Sequence, residues 1–351
     1  MYQPKACTIF LNRACPRHCP YCASVDMERD KKRMHVDNWI ECFEVLRDVG
    51  VEFFLILGTE PLLLGRDLIK LVKYWKEEDL EYGLYSTSPM PLFALQIPTL
   101  LSVGLRNWSS GIDFVPEVYE EVKYSISQKA KRLVESQKGE LVKKAEDALA
   151  GFKYMKGRVD ELHALITISR MNVEFVPEMI QHITDKFDNT IHIGLNYVEY
   201  SNEPEMDFAT PKDNSGFFFE KSDYALLQEM VDKLQSLSQR ANLRTQIPFD
   251  YLENYDWAIN LDWKCKLNSM AMSIDCDGSI RLCGYKTLNY SEVLHYWDLK
   301  ERPNYTLQVL ENAHKNCSGC YWSYPYVLEH KGAQILNYRS KLWKKRDEVK
   351  R

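Results

Sequence analysis

The sequence predicts an α/β protein, a partial (β/α)6 TIM-like barrel followed by a smaller C-terminal segment built from a β-hairpin and a helix. Two observations carry this expectation. Six short apolar runs alternate with amphipathic stretches through the first 200 residues, as strand-helix-strand units with a parallel, doubly covered sheet require. From Phe249 onward the pattern changes to short strands, turns and cysteines. Right-handed crossovers between six sequential parallel strands curl a sheet towards a full or partial barrel, whose strand ends carry the loops that do chemistry.

The elements follow in order. "ACTIFLN" (6–12), "VEFFLILG" (51–58), "YGLYSTS" (82–88), "RNWSSGID" (106–113), "LHALITIS" (162–169) and "IHIGLNYVEY" (191–200) read as the six strands. In the first helix Asp37 is the expected cap, Trp39, Ile40, Phe43 and Leu46 recur at helical spacing, and Gly50 ends it. "DLIKLVKYWKEED" repeats that pattern. Residues 116–158 are expected to be helical with an interruption near Gly139, their many Lys and Glu forming a solvated face. The segment 201–222, with Pro, Gly, Asn and three consecutive Phe, fits a lid or binding loop. A helix over about 222–240 and a short strand at "LRTQIP" then close the first domain. The expected division is 1–248 for the barrel, 249–330 for the C-terminal domain and 331–351 for a basic helix or tail.

Composition narrows the function classes. The 351 residues are 45% apolar and 27% charged, enough for a large core, and the formal charge of -5 argues against a protein that coats nucleic acid. "RSKLWKKRDEVKR" is a basic tail, read as a solvated helix end. No run of eighteen apolar residues occurs and Met1–Thr8 lacks a secretory apolar stretch, so a cytoplasmic protein with no membrane partner is expected.

The chemistry concentrates in "NRACPRHCPYCASVD" (12–26), where Cys15, Cys19 and Cys22 follow the first strand in the order C-x3-C-x2-C. A disulfide framework belongs to small secreted domains, so three nearby thiols here read as metal ligands. Three thiolates hold three irons of a cubic 4Fe-4S cluster and leave the fourth iron open. At these residues the chain resembles the radical S-adenosylmethionine (radical SAM) superfamily, whose first-strand loop carries C-x3-C-x-aromatic-C, with Tyr21 as the aromatic. In that family the open iron chelates S-adenosylmethionine, and one electron breaks its sulfonium bond to give a 5'-deoxyadenosyl radical. "GTEP" (58–61) stands where the family has G-G-E-P, so the resemblance gives Gly58, Thr59 and Glu60 contact with the methionyl amino group. Its other reading is a strand-to-helix turn with Pro61 at the first helical position.

"GID" (111–113) and "TISRMN" (167–172) fall at later strand ends, where the resemblance places contacts to ribose and carboxylate. Asp113, Ser169 and Arg170 are the candidates. Arg170 offers a fork for a carboxylate, or a structural salt bridge. Asn196, with Tyr197, is the candidate for the adenine edge.

A second constellation comprises Cys265, Cys283, Cys317 and Cys320. "SMAMSID" and "SIRL", joined through Asp277-Gly278, read as a hairpin, and the later C-x2-C completes four thiolates. This resembles the SPASM/Twitch extension of radical SAM enzymes and implies a cluster-binding domain with one auxiliary 4Fe-4S cluster; a structural zinc site is the alternative. Cys276 is expected not to ligate, Cys7 and Cys42 to be buried thiols, and His18 to be an exposed loop residue.

The resemblance implies an enzyme served by a flavodoxin- or ferredoxin-type electron donor. It would abstract hydrogen from a small-molecule or peptide substrate, giving oxidation, rearrangement or bond formation. The first strand begins near residue 6, leaving no room before it for a recognition domain, which favours a small or carrier-presented substrate. Modification of a nucleotide or nucleic-acid base, and a non-catalytic iron-sulfur or zinc protein, are the alternatives. No residue is singled out as catalytic acid, base or hydrogen donor.

Overall fold

The computed structural model describes residues 4–19, 21–22, 32–57, 60–198, 216–241, 249–255, 259, 271–282 and 293–316. Gly58, Thr59, Cys265, Cys283, Cys317, Cys320, the strand expected at "LRTQIP", the tail 331–351 and most of the segment 201–222 lie outside the described residues.

The six expected strands form in order: β1 (Ala6–Phe10), β2 (Phe53–Leu57), β3 (Glu81–Ser86), β4 (Asn107–Gly111), β5 (Glu161–Ile168) and β6 (His192–Tyr197). Between them run α1 (Val36–Asp48), α2 (Arg66–Glu77), α3 (Met90–Val103), α4 (Pro116–Val122), α5 (Gln128–Met155) and α6 (Val176–Lys186). Then follow α7 (Tyr224–Ala241), α8 (Phe249–Leu252), the pair β7 (Ala271–Ile274) and β8 (Ile280–Arg281), α9 (Tyr296–Glu301) and α10 (Pro303–Lys315). Neighbouring strands from β1 to β6 pair in parallel, so their C-terminal ends share one rim.

The sheet runs in the order β6-β5-β4-β3-β2-β1-β7-β8. The C-terminal hairpin is thus part of the barrel sheet: β7 lies parallel to β1, with Cys7 opposite Met272 and Ile9 opposite Ile274, and β8 returns antiparallel. Its turn needs Gly278, whose φ of 89° is unfavourable for residues with a Cβ.

The sheet is covered on both faces along β1 and β4, where every residue is buried, and less so at its β5–β6 end. Along β5, Leu162, Ala164, Ile166 and Ile168 are buried while Glu161, His163, Leu165 and Thr167 are half-buried, and β6 repeats this alternation. Curling puts one face against helices and leaves the concave face partly open, as a site needs. The covered face is aromatic over β2 and β3. Phe43 of α1 meets Phe54 edge-on at 5.0 Å and Trp75 of α2 at 5.6 Å, and Trp75 reaches Tyr82 at 4.7 Å. Each such pair adds about 0.5–1.5 kcal/mol to the area it buries.

Two helix readings are corrected. His35, not Asp37, caps α1, its ring accepting from the Asp37 N–H at 3.4 Å; Asp37 pairs with Lys70 of α2 instead. Gly139 does not interrupt its helix. The break comes earlier, at residues 123–127, and α5 then runs unbroken for 28 residues. One glycine costs about 1 kcal/mol in a helix, less than is gained from the buried stripe Ala130, Val134, Leu141, Ala145, Ala148, Phe152.

Candidate active site

The loop leaving β1 carries Cys15, Cys19 and Cys22, all partly exposed, and its intervening residues anchor it to four other parts of the chain. Asn12 donates to the Glu60 carbonyl at 2.9 Å and the Glu60 N–H donates to the Ala14 carbonyl at 3.1 Å, which ties the loop to the turn after β2. Arg13, buried, pairs with Asp275 at the end of β7; Arg281 of β8 reaches the same carboxylate at 2.5 Å. Arg17, also buried, pairs with Asp147 of α5, and its backbone N–H donates to the Cys15 sulfur at 3.4 Å. Tyr21 donates to Asp113 Oδ2 at 2.6 Å, just past β4. His18 points to solvent, while Cys7, Cys42 and Cys276 are buried.

Burial pushes the Cys15 thiol up to about 12, with Glu60, Cys19 and Cys22 adding to the rise. Burial also raises Cys19, opposed chiefly by the Lys144 ammonium. Such thiols stay protonated on their own and become thiolates when a metal takes the proton's place. Among the described residues, no three His, Cys, Asp or Glu side chains converge as ligands of a single ion. A cubic cluster asks for something else, since its thiolates sit on separate irons. The three cysteines suit it: one loop carries them, and they are near enough to influence one another.

The polar residues expected to touch a ligand are mostly engaged by the protein. Glu60 is fully buried: it accepts from Leu62 N at 3.0 Å, Ser86 Oγ at 2.9 Å, Thr87 N at 2.7 Å and Thr87 Oγ1 at 2.6 Å. Burial raises its pKa against those donors. Asp113 binds Tyr21 and Lys144 through Oδ2 and the Thr167 N–H through Oδ1. Ser169 is fully buried, its hydroxyl accepting from Met171 N at 3.3 Å. The Arg170 fork meets Glu220 at 2.8 Å and Asp223 at 2.5 Å, the structural salt bridge among its two readings. Asn196 sits half-buried on the concave face, opposite Thr167. Tyr197 is buried, its hydroxyl donating to the Leu252 carbonyl at 2.6 Å.

Much of this network escaped sequence reasoning, Arg13, Asp275, Ser86 and Thr87 included. Asn172 bridges the Asp113 and Thr167 carbonyls at 2.9 Å each. Arg17 and Asp147 meet across 130 positions with no local signal. Lys144 did leave one: it stands three residues after Leu141 and four before Ala148, on the buried stripe of α5 rather than its wet face.

With this geometry in view, comparison with solved structures shows that the chain has the fold of the radical SAM enzymes. SuiB of Streptococcus suis bound to S-adenosylmethionine superposes with a TM-score of 0.62 at 13% identity, covering 93% of this chain and 75% of SuiB. The enzyme anSMEcpe, with bound AdoMet and a Cp18Cys peptide, gives 0.55 at 14% identity over 97% of this chain and 99% of its own. In sequence, the PqqA peptide cyclase of Bradyrhizobium diazoefficiens is 31% identical over 103 residues, 29% of this chain. That match spans only 27% of the cyclase. No protein-family model matches the chain.

Proposed function

We propose that this protein is a radical SAM enzyme that modifies a peptide. The observation that carries this reading is the cysteine loop itself, three thiols at the rim of an open-faced parallel barrel, anchored through Asn12, Arg13, Arg17 and Tyr21. Cys15, Cys19 and Cys22 would hold a 4Fe-4S cluster, which supplies reductive cleavage of S-adenosylmethionine and hence the hydrogen-abstracting radical. The protein's part is to keep three corners covered, hold one accessible and exclude water from the concave face. Glu60, Asp113 and Ser169 hold the strand-end turns in register around that face, and Asn196 presents an amide to it. Gly58 and Thr59 would complete the cofactor's surroundings.

Of the small-molecule and peptide substrates the sequence left open, a peptide is preferred. SuiB has been solved with precursor peptide SuiA and anSMEcpe with a peptide, and the relative in sequence is named a peptide cyclase. The auxiliary cluster at Cys265, Cys283, Cys317 and Cys320 belongs to the same proposal, as an acceptor for the substrate's second electron.

The test is anaerobic incubation of iron-loaded protein with S-adenosylmethionine and dithionite. 5'-Deoxyadenosine is the expected product, and Cys19→Ala should yield none above the buffer blank. The variant lacking Cys15, Cys19 and Cys22 should keep about four irons on the C-terminal cysteines. Zinc in place of iron at the N-terminal site would end this reading.

A further inference from the structure

Lys144 is a charged side chain where stability alone calls for an apolar one. It lies on the buried stripe of α5 with its side chain 7% exposed, and its ammonium enters the barrel beside β4. Room is made by Gly111: a Cβ there would fall 3.3 Å from Lys144 Nζ and 2.5 Å from the Tyr85 hydroxyl. Asp113 Oδ2 holds the ammonium at 2.5 Å, and the ring of Tyr21, between two of the cysteines, lies 5.7 Å from it. Replacing a buried ion pair by well-packed hydrophobic residues is commonly neutral or stabilising, so this pair calls for a reason other than folding.

The neighbourhood supplies one. Arg17, the other buried cation beside the cysteines on this side, is taken up by Asp147 and Glu140 on α5 and by the Thr87 carbonyl after β3. Lys144 faces inward, towards the Tyr21 ring that stands between Cys19 and Cys22 in the loop. Burial disfavours its charge, but the Asp113 carboxylate beside it keeps it protonated. We infer that Lys144 is a positioning residue whose fixed positive charge raises the reduction potential of the cluster held by Cys15, Cys19 and Cys22. The inference rests on the proposed function. In the step concerned, one electron passes from a flavodoxin- or ferredoxin-type donor to the cluster. No bond forms or breaks, and the added negative charge is stabilised by a cation in a poorly screened interior. The Asp113–Tyr21 hydrogen bond links the ammonium's position to that of the cysteine loop.

The experiment is a redox titration of the iron-loaded protein followed by electron paramagnetic resonance, with no substrate present. Lys144→Gln, which keeps a donor for Asp113 but no charge, should take the midpoint to a more negative potential at unchanged iron content. Lys144→Arg should restore the parent value. Should that variant fail to fold, Asp113→Asn/Lys144→Gln replaces it with a neutral pair, and its midpoint should be more negative than the parent's by less than in the single variant. A parent-like midpoint in a fully loaded Gln or double variant overturns the inference. So does weaker S-adenosylmethionine binding at an unchanged midpoint, which would make Lys144 a ligand contact. Absence of any N-terminal cluster in the parent protein would instead defeat the proposed function.

Discussion

The anchors of the cysteine loop and the helical layer over β2 are both buried but hold their parts of the chain by opposite means. Over β2, Trp39, Phe43, Phe54 and Trp75 interlock without a charge among them. At the loop, Arg13, Arg17 and Tyr21 reach out to Asp275, Asp147 and Asp113, each on a different element. Apolar packing is tolerant of direction and supplies stability. Charged, hydrogen-bonded contacts contribute less net stability but fix position. The loop uses the kind of contact that fixes where sulfurs sit.

That contrast can be broken at either end. The largest effect is expected from Asp275→Asn, which removes the carboxylate shared by Arg13 and Arg281: about 3–5 kcal/mol of stability, together with loss of N-terminal iron, read by chemical denaturation and iron analysis. Phe43→Ala should lose a comparable or slightly smaller share, about 3–5 kcal/mol for a buried aromatic, while iron per folded molecule stays at the parent level. Equal iron loss in both variants would erase the distinction between the two regions.

The smallest effect sharpens the comparison at the surface. Glu41 of α1 takes hydrogen bonds from Lys300 Nζ at 2.7 Å and Tyr296 Oη at 3.1 Å, and chiefly the Lys300 bond holds its carboxyl below the ordinary range. A lowered carboxyl pKa contributes stability above the unfolded value, lost as pH falls through the folded one. Glu41→Gln should therefore cost about 0.2–1 kcal/mol near neutrality, the range for exposed pairs, and nothing in strong acid. Urea melts at the two pH values check the sign.

Much of the scaffold was legible because it repeats. Runs such as "VEFFLILG" and "LHALITIS" announce strands through composition and period, and C-x3-C-x2-C marks the candidate loop through spacing. The site's supports were less legible, because they depend on which distant residues the curl of the sheet brings together. Glu60 could be placed at a strand end, but not its enclosure by Ser86 and Thr87 from β3 and the turn after it. Arg170 could be seen as a fork, but its partners Glu220 and Asp223 lie about fifty positions away. The hairpin at Gly278 was readable from its turn, whereas its docking beside β1 was not, since strand order leaves no mark on local sequence.

That docking has a consequence for how the chain is made. β1 is synthesised well ahead of residues 271–274, the segment that fills its second flank. At roughly 5–20 residues per second, one edge of the first strand waits on the order of 13–50 s for its neighbour. During that interval a bare rim of amide and carbonyl groups adjoins the thiols. Shielding of the nascent chain until the hairpin arrives therefore belongs to the making of this fold.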